Sequence, residues 1–344
     1  MPNGRGHRSN TIFTPMTSSV IPANLQSQFD DLDDELISPV QLLFSDSLDD
    51  RLVGVVNLQY LCDEQTVPFL VAALADTSQE VVLTAVTSLW EIANQSAVEP
   101  LMSCLSSAYS LKVRKEALAA LKELVNQDHL LALLDRLSID DDLLQNSILI
   151  LLRKIHDIQA LPYIAPFLES EIEHLRLASI TTLRYLNQLT HFPPALSLAS
   201  DQSVEVRKEA MLTFAHLEEP EVLPILIKSL LDDSSWEVRR NAARALEQKS
   251  DPASAGALAS AISDQHWQVR KFALRALNPL VADQFVPNII PLLCDDYSDV
   301  RKEAALALGG VVSERAKTAL QQSLSDADIE VRIASEKSLS RQTA

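Results

Sequence analysis

Three thiols, seven histidines and one aromatic group are the side chains in this sequence whose types could do chemistry. Cys62, Cys104 and Cys294 are far apart and show no C-x-x-C spacing, so they form neither a disulfide framework nor a compact metal knot. They read as buried small apolar residues. Cys294, which follows Leu292-Leu293 late in a helix, is expected in the core. The other reading is that one or two exposed thiols hold part of an iron–sulfur cluster or zinc site completed by a partner. The histidines are scattered, and the sequence has no G-x-S-x-G, no phosphate-binding glycine loop and no H-E-x-x-H. The remaining candidates recur at a fixed interval. Trp236 and Trp267 stand at matching places in the first turn of two consecutive B helices, beside Ser235 and His266, and Tyr297 follows in the next; Arg240 and Lys271 come four residues after the two tryptophans. Aromatic rings with arginine are the composition of a binding hot spot. The competing reading is that each tryptophan stacks on the neighbouring repeat and helps close it.

The elements that position these residues follow from the interval itself. Arg207, Arg239, Arg270, Arg301 and Arg332 each follow a valine and stand six residues after an aspartate: Asp201, Asp233, Asp264, Asp295 and Asp326. Three residues after each arginine comes Ala or Ser, and seven after comes Phe214, Leu246, Leu277, Leu308 or Leu339. The period is 31–32 residues, and a period in that range marks a stacked repeat protein. Stepping back gives Arg176, Gln145, Arg114, Val82 and Arg51, with Leu183, Leu152, Leu121, Leu89 and Leu58 seven residues on. About ten repeats result.

Each repeat reads as two helices. In the repeat from Glu221 to Gln248, Pro224 sits in the first turn of helix A, where its missing N–H costs little. Pro68, Pro100, Pro162, Pro193 and Pro287 stand at the same point elsewhere. Ser235 is placed to cap helix B, as are Ser47, Ser78, Ser110, Asp141, Ser203 and Asp328. Val238, Ala242, Ala245 and Leu246 then line one face of helix B. The expected fold is an all-α solenoid of about ten two-helix repeats over residues 29–344. Residues 1–28 lack Asp and Glu, are rich in Ser, Thr, Asn and Pro, and read as a disordered extension.

The D-x-x-x-x-V-R-x-x-A-x-x-x-L pattern of these repeats resembles the HEAT repeat, in the short form of the phycobilisome lyase HEAT-like family. That resemblance implies an aspartate–arginine ladder between neighbouring repeats, from Asp201 and Arg207 through Asp326 and Arg332. It implies a concave helix-B surface that binds partner proteins, here through Trp236, Arg240, His266, Trp267, Lys271 and Tyr297. Family members also suggest two more specific roles. One is a bilin lyase subunit or phycobiliprotein-associated factor that binds a phycocyanobilin-type bilin. The other is an iron–sulfur assembly scaffold that works with a carrier protein and uses Cys62, Cys104 or Cys294. HEAT-like diiron hydroxylases use repeated His-Glu pairs. This sequence has only the reversed Glu173-His174, so a diiron enzyme is not expected. A non-catalytic scaffold is the preferred reading.

Bulk composition narrows the partners. A net charge of −18 argues against general nucleic-acid binding, which needs clustered Lys and Arg. No apolar run reaches the ~18 residues of a membrane span. The expected location is cytoplasmic, or the plastid stroma if the acid-free, arginine-bearing start is a transit peptide. The ladder is interrupted in the N-terminal half, most of all around Gln145, where Ile139 and Ile148 replace the usual Asp and small residue. That repeat reads either as drift with a refilled core or as a bend or binding segment.

Overall fold

Apolar residues at the helical period, with few glycines to interrupt them, make helices throughout the computed structural model, which describes residues 20–186 and 189–342. There is no strand among the described residues, and none of their helices is long and apolar enough to cross a membrane. The chain divides into two compact units, residues 1–155 and 156–344.

The first unit opens with a short helix, α1 (Gln26–Asp30), and then pairs helix A with helix B. The pairs are α2 (Asp34–Leu43) with α3 (Leu48–Leu61) and α4 (Val67–Ala73) with α5 (Gln79–Ile92). They continue with α6 (Val98–Ser103) and α7 (Leu111–Leu124), then α8 (Leu130–Arg136) and α9 (Asp142–Ile155). The residue seven after each register position, Leu58, Leu89, Leu121 or Leu152, is fully buried. Gly54 lets α3 press on α2: a Cβ there would lie 2.5 Å from Leu43 N and 2.8 Å from Pro39 O. The extension expected over 1–28 falls mostly on residues that the structure does not describe. Residues 1–19 lie outside the described residues, but Ala23–Leu25 and α1 are helical. Leu25 is buried, and Phe29 meets Phe69 edge-on at 6.4 Å, so apolar burial orders this segment.

The second unit runs from α10 (Leu161–Ile164) and α11 (Glu173–Leu183) to a 3-10 segment, Pro193–Ser200, and α12 (Val204–Phe214). Next come α13 (Val222–Asp232), α14 (Trp236–Lys249), α15 (Ala255–Ala261) and α16 (Trp267–Leu277). α17 (Val286–Ile289), α18 (Ser298–Leu308), α19 (Glu314–Ser323) and α20 (Ile329–Gln342) follow. Its small buried positions, Ser179, Ala210, Ala242, Ala273, Ala304 and Ser335, recur at the expected period. Among the described residues the two units together hold about ten such pairs, an all-α solenoid repeat pattern.

Three helices A depart from α geometry. Pro166 and Pro291 each follow an earlier proline by one helical turn, and the chain continues as 3-10 helix over Ala165–Glu169 and Ile290–Cys294. Pro193-Pro194 opens the third. A second proline lacks the N–H that would close the next turn, and three residues per turn replace 3.6. This corrects the placement of Cys294. Leu293 stays buried, but the tighter winding carries Cys294 to the exposed side.

The cap positions also divide. Ser47, Ser110 and Ser235 accept backbone N–H bonds at their helix starts, as do Asp141 and Asp328. Ser78 and Ser203 occupy the N-cap without a side-chain bond. Ser203 instead donates to Glu173 Oε1 at 2.7 Å.

Candidate functional site

Two layers build the face formed by the B helices of the second unit. The inner layer is the arginine–aspartate ladder. Arg207 Nε and Nη2 donate to Asp233 Oδ2 and Oδ1 at 2.8 and 3.1 Å, and Nη1 donates to the Asp201 carbonyl at 2.8 Å. The same fork joins Arg239 to Asp264, Arg270 to Asp295 and Arg301 to Asp326. Each arginine therefore ties its own turn to the aspartate of the next repeat, 25 or 26 residues on. Each aspartate also accepts the N–H two residues later, at Ser203, Ser235, His266, Tyr297 or Asp328.

Because the partner lies one repeat ahead, Asp201 belongs to Arg176, a rung that the same-repeat spacing leaves unassigned. Arg51 and Asp76 form a rung in the first unit at 2.7 Å. Among the described residues Arg332 bonds the carbonyls of Asp326 and Ala327, at 2.7 and 3.0 Å, and no carboxylate. Gln145 keeps the carbonyl half of the pattern, donating to Leu137 and Ile139 at 3.2 and 2.9 Å. Its amide has no charge to give a carboxylate.

Charge pairing shows in the titration of these groups. Burial alone would raise the Asp201 and Asp264 carboxyls. The hydrogen bonds from Arg176 or Arg239, and the N–H of Ser203 or His266, outweigh it and hold both below the usual range. The bond from Arg301 is the main reason that Asp326 lies low.

The outer layer is a column of rings. Trp236 stacks on His266 with centroids 3.7 Å apart and planes at 11°, and Trp267 stacks on Tyr297 at 4.9 Å and 11°. His266 and Trp267 are chain neighbours whose centroids are 6.4 Å apart, which joins the two pairs. The column is possible because the rings occupy two adjacent positions where a helix B begins: His266 and Tyr297 are N-cap residues, and Trp236 and Trp267 are the first residues of their helices, so each tryptophan meets the N-cap ring of the next repeat. His266 also caps α16, its Nδ1 accepting the Gln268 N–H at 3.3 Å. Burial, with the charges of Arg239, Arg240 and Arg270, pushes His266 down despite Asp264. Arg240 lies over Trp236 at 5.2 Å, and Lys271 lies over Trp267 at 6.0 Å. Lys271 is also bonded to Asp299 at 2.8 Å. Tyr297 is 46% exposed, and both tryptophans are half-buried. All six residues expected to bind a partner thus lie on one face of the second unit. Phe272 and Arg244 extend it: the guanidinium of Arg244 lies 5.6 Å from the Phe272 centroid.

The cysteines do not share that face. Cys104 is buried, and burial raises its thiol to about 11 although Tyr109 acts the other way, which suits it poorly to ligation. Cys62 is exposed at the end of α3 with φ of 50°. No group of three or more His, Cys, Asp or Glu side chains that could hold a metal occurs among the described residues.

A ladder that clips successive helix pairs, with a row of matching side chains along the B helices, defines a repeat solenoid of the HEAT class. The family model for HEAT repeats matches residues 67–153, 161–247, 192–278 and 255–340, and the chain belongs to that family. A search of curated proteins found no match. Among solved structures, the chain is similar to an engineered protein, with a TM-score of 0.54 and 20% identity over 91% of this chain and all of that one. It is similar also to yeast importin-β (Kap95p), with a TM-score of 0.59 and 12% identity over 93% of this chain. Kap95p in its complex with RanGDP gives a TM-score of 0.55 at 12% identity. The chain spans about half, 53%, of Kap95p. Identities this low establish the fold alone.

Proposed function

We propose that this chain is a protein-binding scaffold whose partner docks on the helix-B face of the second unit. The observation that carries this reading is the ring column of Trp236, His266, Trp267 and Tyr297, held in register by the ladder and partly open to solvent. Rigid aromatics presented at fixed spacing supply contact area at low cost in side-chain entropy. Stacking between repeats and partner binding are compatible, since Tyr297 at the end of the column stays 46% exposed and both tryptophans are only half-buried.

The test is affinity capture from the native host with the full chain and with Tyr297→Ala, with thermal melting of both. A partner retained by the parent chain and lost by the variant, with melting unchanged, supports the reading. A partner retained equally by both would overturn it. The absorption spectrum of the eluate addresses the alternatives suggested by family resemblance. A phycobiliprotein with visible bilin absorption would favour the bilin-handling role. A brown iron–sulfur carrier would turn attention to Cys62 and Cys294.

A further inference from the structure

Four B helices of the second unit, α12, α14, α16 and α18, carry a cation immediately after the ladder arginine: Lys208, Arg240, Lys271 and Lys302. Three of these meet carboxylates. Lys208 lies 2.8 Å from Glu205 and 3.6 Å from Glu237 on the next helix B. Lys271 bonds Asp299 at 2.8 Å and Lys302 bonds Glu330 at 3.0 Å, each partner 28 residues on. At that offset from Arg240 stands Gln268, whose neutral Oε1 is 3.4 Å from Nη1. The other bonds of Arg240 go to Asn241 Oδ1 at 3.2 and 3.1 Å. Asn241 stands where α12 has Glu209 and α18 has Glu303, and α16 between them has Phe272. Among the described residues no carboxylate lies within ion-pair distance of Arg240, although Glu237, three residues before it, favours its charge. One turn on, exposed Arg244 makes neither a hydrogen bond nor an ion pair among the described residues, and burial first, then the charge of Arg244, disfavour the charge of Arg240.

Two guanidiniums four residues apart on a helix repel each other, and a chain of net charge −18 has acids in abundance with which to neutralise them. Here the acid is missing from the position, 28 residues on, that neutralises Lys271 and Lys302. We propose that Arg240 and Arg244 form a receptor for a short pair of carboxylates on an acidic peptide segment of a partner protein. Trp236 and Phe272 back the two guanidiniums. Residues four apart on a helix are about 5–6 Å apart at Cβ. Acids at alternate positions of an extended peptide match that separation. Glu237 beside Arg240 and the net charge of −18 would repel a long polyanion, so the charge pattern favours a peptide over a nucleic acid. This inference rests on the helix-B face being the docking surface.

The test uses the full chain. Random 12-residue peptides are selected on it by phage display, and the three strongest are fluorescein-labelled and titrated by anisotropy. The variants are Arg240→Gln/Arg244→Gln and Gln268→Glu, the second restoring the missing carboxylate without removing either arginine. The expected peptides carry paired Asp or Glu. Their affinity falls by about tenfold or more in both variants, as for lost charge-assisted bonds, while melting temperatures hold. Acidic peptides that bind both variants unchanged would overturn the proposal. So would a twelve-nucleotide oligothymidylate that competes as well as the peptides. Neutral or basic peptides displaced by Tyr297→Ala would overturn it too, while leaving the scaffold reading intact. No selected peptide of any kind would count against both.

Discussion

Arg207 holds Asp233 through two parallel bonds of 2.8 and 3.1 Å, although the two residues are 26 positions apart and belong to different repeats. Side-chain exposures of 13% and 9% place the pair well inside the surface. Removing one partner from such a pair strands a charge and several hydrogen-bonding groups. Arg207→Ala and Asp233→Ala are each expected to lower the unfolding free energy by about 2–4 kcal/mol. Arg332→Ala should cost only about 1 kcal/mol, since that side chain bonds carbonyls alone. Urea titration of the three variants checks the contrast.

Acid should weaken the fold in two stages. His216 and His266 have folded values below their ordinary one, chiefly through burial. The unfolded chain therefore binds the extra protons first, and stability falls as pH drops below about 6.5 toward the folded values. Asp201, Asp264 and Asp326 are likewise depressed. Their contribution is complete above about 4 and is lost as pH falls from there through the folded values. Melting from pH 8 to 3 should show both stages. His266→Asn, which retains a cap acceptor, should flatten the upper one.

Two glycines should respond in opposite directions to alanine. At Gly54 the new Cβ meets backbone of α2 at 2.5 and 2.8 Å, so Gly54→Ala should destabilise the first unit by about 3 kcal/mol. Nothing lies within 4 Å of a Cβ on Gly256 in α15, so Gly256→Ala should stabilise by up to about 1 kcal/mol. Thermal melts of the two variants separate close approach from helix propensity.

Ala93 and Ser250 end their helices in the left-handed region, with φ of 57° and 48°. Ala93→Gly and Ser250→Gly should each stabilise by about 0.5–1 kcal/mol, because glycine adopts that region without a Cβ penalty. Chemical denaturation midpoints would show the gain.

The repeat period, the helix pairs and the small and large core positions are legible in the sequence because they reflect local periodicity. The ladder is only half legible. An aspartate six residues before each arginine is visible, and the resemblance implies pairing between neighbouring repeats, but that each arginine bonds the aspartate of the following repeat is set by packing. That offset hid Arg176 and Arg51 with Asp76. Cys294 was misplaced because a second proline, Pro291, changes the winding of its helix. The aromatic residues could be aligned by spacing, yet face-to-face stacking of Trp236 on His266 depends on side-chain rotation, which spacing does not encode. Gln268 carried a usable signal: it stands 28 residues after a cation where its counterparts are acids.

The most direct measurement is site-specific photocrosslinking in the native host, with benzoylphenylalanine placed at Tyr297 on the ring column or at Leu231 on α13. Both positions are exposed, at 46% each, so access is matched. A discrete partner adduct from position 297 and none from 231 is the expected result. Adducts from 231 alone, with a silent 297, would contradict docking on the helix-B face.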